Sequence, residues 1–199
     1  MRGRYLLLMI AFVTAVLVSS CASAPPERDR FYRLSDPQPL AREFMVSESV
    51  LEIGRFSARE LLESERYILE RGANAEITWQ QNALWVEPPA RMIRRGLLHY
   101  LRGLGLFQQV VSHEQQVIAQ YRLLGMLLAF ERSQDLSGVL IDLDVSLIDL
   151  ADRKVVLAKR FQVNEAAVDT SVSAAVAAFD RALASLAADV AAAIRDAVR

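Results

Sequence analysis

The spacing of apolar residues changes several times along the chain, and each change marks a new element. Val139, Ile141, Leu143, Val145 and Leu147 alternate with Asp142, Asp144 and Ser146. That period of two predicts a half-buried strand over residues 138–150. Further strands are predicted at 46–53, 66–70, 75–80, 107–111, 120–132 and 154–163. Tight turns at Arg71-Gly72-Ala73-Asn74 and Asp152-Arg153 join neighbouring runs. Leu123-Leu124 and Met126-Leu127-Leu128 are apolar on both faces, as expected of a central strand or one covered by helices. Residues 58–63 suit a single helical turn.

Helical spacing appears twice. Pro88-Pro89 can open a first turn, where a missing N–H costs nothing, and Met92, Ile93, Leu97, Tyr100, Leu101 and Leu104 then form one stripe. Gly103 and Gly105 end it. The second helix is predicted over 170–198, with Val172, Val176, Phe179, Leu183, Leu186, Val190 and Ile194 on one face and alanines elsewhere. Such a face suits packing on a sheet or on a copy of itself. Strands, helix, strands and helix in that order predict an α+β fold. The expected form is an antiparallel sheet with a central helix and a long C-terminal helix packed on it.

The first thirty residues follow another rule. Arg2 and Arg4 precede fourteen uncharged residues from Tyr5 to Val18, then Ser19-Ser20 and Cys21, the only cysteine. A positive start, a short apolar run, small residues and a cysteine read as a bacterial lipoprotein processing site. On this reading residues 1–20 are a leader and Cys21 is the lipidated N-terminus. Residues 21–30, with Pro25-Pro26, form a flexible tether, and residues 31–199 form a single domain. Fourteen residues is short for a bilayer span, which takes about 20. Ala22-Ser23 after the cysteine, with no Asp, fits an outer-membrane address facing the periplasm.

Composition narrows the function. The net charge of −1 becomes −3 once Arg2 and Arg4 leave with the leader, which gives no general attraction for nucleic acid. One cysteine makes no internal disulfide. His113-Glu114 begins like a zinc-protease helix, but Val117 stands where the second histidine would be, and His99 is the only other histidine. No phosphate loop or nucleophile elbow is present. Asp142 and Asp144 share a strand face that reads as solvated. These observations predict a non-catalytic protein with no cofactor or metal. Candidate partner or lipid contacts are Trp85 at the strand–helix junction and Arg91, Arg95 and Arg102 along the first helix, with Arg94 nearby. Packing in the core is the other role open to Trp85, and plain solvation the other role open to the arginines. The alanine-rich last helix could also join a homo-oligomer.

Taken in order, Cys21, Phe31-Tyr32-Arg33-Leu34, Ile77-Thr78-Trp79, Trp85-Val86-Glu87-Pro88-Pro89, Tyr121-Arg122-Leu123 and residues 155–161 resemble the ABC-type transport auxiliary lipoproteins. That group contains paraquat-inducible protein C. The Trp85-to-Pro89 segment is the most specific piece. The resemblance implies a non-catalytic accessory subunit, held in the outer membrane through Cys21. Its partners would be an MCE-domain protein and an ABC transporter moving lipid between membranes. The alternatives are a structural or assembly lipoprotein of the envelope, concerned with peptidoglycan or outer-membrane biogenesis, and a lipid carrier with its own cavity.

Overall fold

A computed structural model describes residues 28–43, 47–59, 61–64 and 66–198 of the chain. Cys21, the leader and most of the tether lie outside the described residues. The strands are β1 (Arg30–Tyr32), β2 (Ser47–Ala58), β3 (Tyr67–Arg71), β4 (Ile77–Trp85), β5 (Phe107–Ser112), β6 (Tyr121–Arg132), β7 (Gly138–Asp149) and β8 (Lys154–Ala166). The helices are the short α1 (Leu61–Ser64), then α2 (Pro89–Leu104) and α3 (Val172–Ala197).

β6 organises the sheet. Along one edge it pairs with β7, antiparallel, from Tyr121 to Arg132. Its other edge is divided: β2 lies parallel to it over Tyr121–Leu127, and β3 lies parallel at Glu131 and Arg132. The sheet therefore forks. One arm continues from β2 to β5, the other from β3 through β4 to β1. The double-sided apolar run in residues 123–128 belongs to this central strand.

The expected antiparallel sheet is corrected by this topology. Pairings β1–β4, β2–β5, β2–β6 and β3–β6 are parallel, and only β3–β4, β6–β7 and β7–β8 are antiparallel. Hairpins announce themselves through short turns between alternating runs. The parallel pairs join strands separated by long stretches of chain, which allow a crossover and leave no mark at either strand.

Both long helices lie on one face. α2 packs on β2, β5 and β6, α3 packs on β7 and β8, and the two helices touch each other. Leu51, Ile53, Leu123, Leu127, Ile141, Leu143, Val145 and Leu147 meet the helix stripes, which include Met92, Ile93, Leu97, Leu101, Leu183, Leu186 and Val190. All are buried. Each helix has the start its sequence implies. Pro88 and Pro89 begin α2, and Gly105 ends it in the left-handed conformation at φ 79°. Ser171 caps α3 by accepting from the Ala174 N–H at 3.1 Å.

The segment from Arg33 to Glu43 runs along the groove between these helices. Ser35 donates from both N and Oγ to Asp180, at 2.7 and 3.1 Å. Asp36 accepts from Arg95 Nε at 2.9 Å, Pro37 is buried, and Glu43 N donates to Leu104 O at 2.8 Å. This strap ties the start of the described chain to both helices.

Candidate functional site

The strand–helix junction places the first candidate. β4 ends at Trp85, and Val86 N donates to Tyr32 O at 2.9 Å, so β1 holds the chain where it turns into α2. Trp85 is 0% exposed. Its ring meets Phe130 edge-on at 5.4 Å and Phe179 at 5.5 Å, while Phe130 and Phe179 stack at 4.1 Å. Three elements thus meet at one aromatic cluster, and no surface of Trp85 faces outward.

The α2 arginines divide by position. Arg95 bonds Asp36 at 2.9 Å and pairs with Glu87. Arg102 donates from Nε to Val110 O at 2.7 Å and from Nη2 to Gln115 Oε1 at 3.1 Å. Arg94 pairs with Glu114 at 2.9 Å, and its hydrogen bond is the largest of the effects that bring the Glu114 carboxyl down to about 2. These three fasten α2 to the strap, to β5 and to the turn that follows β5. Arg91 points outward, 67% exposed and 3.9 Å from Glu87.

The other sheet face carries no long helix among the described residues. Asp142, expected on a solvated face, is 3% exposed there. Arg160 reaches across from β8 and grips it with two bonds of 2.8 and 2.6 Å, and Gln162 adds a third at 3.1 Å. The Arg160 hydrogen bonds hold the Asp142 carboxyl below its ordinary value, outweighing the burial that pushes it up. Asp144 remains exposed, as expected. Near the fork, Leu69, Ile77 and Leu128 line a recess of about 230 Å³ beneath Leu61 and Leu62, with Arg59, Arg71 and Glu131 at its polar rim. Beside it Trp79 is 53% exposed, its ring 5.7 Å from that of Tyr67.

Sequence reasoning placed no functional residue on this face. The signal was present in Tyr67 and Leu69, and again in Ile77 and Trp79, which alternate with their neighbours across one hairpin. It was obscured because Trp79 lies in a strand that runs on to Trp85, past an irregular pairing near Asn82.

Among the described residues no group of three or more His, Cys, Asp or Glu side chains could hold a metal ion. His113 Nδ1 lies 3.6 Å from Glu52, and His99 Nε2 lies 3.9 Å from Asp36. Glu52 is already held by Arg122 at 2.7 Å. Among the described residues no helix is long and apolar enough to cross a membrane.

The fold has relatives among solved structures. A Xanthomonas campestris protein of the DUF330 family superposes with a TM-score of 0.72 at 23% identity, covering 84% of this chain and 96% of that one. An uncharacterized protein matches with a TM-score of 0.67 at 17% identity, covering 84% and 99%. A hypothetical protein of Chlamydia trachomatis matches at 0.50 and 9%, covering 74% and 98%. No curated protein matches the chain. Residues 32–191, from β1 to the last turns of α3, match the family model for the ABC-type transport auxiliary lipoprotein component, and the chain belongs to that family.

Proposed function

We propose that the protein is a non-catalytic accessory subunit of an MCE-type lipid transporter, held by acyl chains on Cys21 in the outer membrane and facing the periplasm. The observation that carries this reading is the family match over residues 32–191. The lipoprotein-type leader read over residues 1–20, just before Cys21, agrees with it. Family membership makes the chain an auxiliary lipoprotein component of an ABC-type transport system. The cargo and the MCE partner are the finer part of the proposal.

The physical need for such a subunit is plain. Each methylene of a lipid exposed to water costs roughly 0.8 kcal/mol, so lipid crosses an aqueous space only inside an apolar conduit. A conduit rooted in one membrane needs a docking point at the other. A domain tethered to that membrane supplies one at high local concentration. The fold suits this role because several of its charged groups are committed to holding the domain together. Arg95, Arg102, Glu52, Asp142 and Arg132 all have partners within the chain.

Affinity purification of the full chain from native membranes tests the proposal. An MCE-domain protein and its ABC ATPase should co-purify. Repeated recovery of the intact lipoprotein with neither would overturn it.

A further inference from the structure

We propose that the helix-free face of β3 and β4 lies against the phospholipid surface that anchors the chain, with Trp79 seated at the level of the headgroups. The proposal rests on the anchor through Cys21 and requires no transporter.

Register places the relevant side chains together. Tyr67 pairs with Leu84, Leu69 with Trp79 and Arg71 with Ile77 across the β3–β4 hairpin. Phe31 pairs with Leu84 from the β1 side. Directly opposed residues point to the same face. Phe31, Tyr67, Trp79 and Ile77 therefore share one surface, opposite the buried face of Trp85 and Ile68. Phe31 is 56% and Trp79 53% exposed, which is unusual for aromatic rings in a folded chain. Leu61, also exposed, adjoins them over the apolar recess.

The cations of this surface complete the pattern. Arg59 and Arg66 form no ion pair with the described residues, and Arg71 keeps half its side chain exposed although it pairs with Glu131. Arg66 lies 6.0 Å from the Phe31 ring centre. Indole and phenol rings settle where hydrocarbon meets headgroups, and arginines beside them extend to phosphate. A protein partner that buried this face would leave Arg59 and Arg66 needing matched carboxylates. A phospholipid surface supplies phosphates at any position.

The anchor argues for the same occupant. Arg30 begins β1, the edge strand next to β4, and is the ninth residue after Cys21. Fully extended, nine residues reach about 30 Å. The acylated end is thus leashed beside this face. A long acyl anchor with a second, weak interfacial contact fixes orientation as well as attachment. The layer formed by α2 and α3 on the opposite face would then point away from the bilayer.

The chain's two tryptophans make the test direct, because Trp85 is buried in the core and Trp79 is exposed. Acylated full-length protein, purified from native membranes, would be placed in vesicles of phosphatidylethanolamine and phosphatidylglycerol whose acyl chains carry bromine. Contact predicts blue-shifted and quenched tryptophan emission, with the quenching lost in Trp79→Phe. Arg59→Glu should weaken the quenching while the protein stays on the vesicles. Circular dichroism would check that each variant remains folded. Unquenched wild-type emission, or equal quenching in Trp79→Phe, would overturn the proposal. So would Trp79 shielded from aqueous quencher by a second copy and not by lipid. Failure to capture a transporter, by contrast, would leave the vesicle result unaffected.

Discussion

Trp85 and Asp142 hold the fold from opposite faces of the sheet, each by a different force. Trp85 ties β4 to β6 and α3 through its edge-on contacts with Phe130 and Phe179. Trp85→Ala would empty a large volume that three elements share, and the expected loss is about 3–5 kcal/mol in denaturant unfolding. Asp142 instead depends on charge. Its folded pKa lies below its ordinary value because Arg160 binds the ionised form. The pair therefore stabilises the fold fully above the unfolded value of roughly 3.9, and the contribution fades as pH falls below it. Asp142→Asn should cost about 2 kcal/mol at neutral pH and flatten the acid side of the stability profile. Unfolding curves at neutral pH and below pH 4 would show a smaller difference between the two conditions than in the wild type. Nothing in the alternation around residue 142 separates a solvated aspartate from this one, because its partner comes from the next strand, eighteen residues on.

Among the elements, α2 and α3 meet at a tight joint. A Cβ added at Gly96 would lie 2.8 Å from Leu183 Cδ2 and 3.2 Å from Pro37. The helices and the strap close on this one position. Gly96→Ala gains helix propensity yet forces the joint apart, and the net effect expected is a loss of about 1–3 kcal/mol. A lower melting temperature, together with faster proteolysis within residues 33–43, would report that opening. Both helices were legible in the sequence because their stripes are long, and α2 also carries proline at its start and glycine at its end. The β3–β4 and β7–β8 hairpins were legible too, from their turns. The parallel pairings were not, since β2 meets β6 more than sixty residues away and the alternation of each strand is blind to its neighbour's direction. β2 itself runs to Ala58, beyond the expected end at residue 53, through a bulge that breaks its alternation.

For the whole molecule, the sequence carried the family more readily than the surface. Cys21, the Trp85–Pro89 segment and the order of the lesser motifs led to the auxiliary lipoproteins, and the match over residues 32–191 agrees. The candidate surface was harder to read. Arg95 and Arg102 look like a basic stripe in the sequence, but Arg95 is engaged by Asp36 of the strap and Arg102 by the Val110 carbonyl of β5. The exposed aromatics of β1, β3 and β4 come together only through strand register. Family membership makes the chain an auxiliary lipoprotein component of an ABC-type transport system, and attachment through Cys21 is the central proposal. Mass spectrometry of the mature protein from its native host tests that most directly. The expected result is a chain beginning at Cys21 and carrying acyl groups on it. A mature chain with an unmodified start, or one still bearing its first twenty residues, would contradict the account.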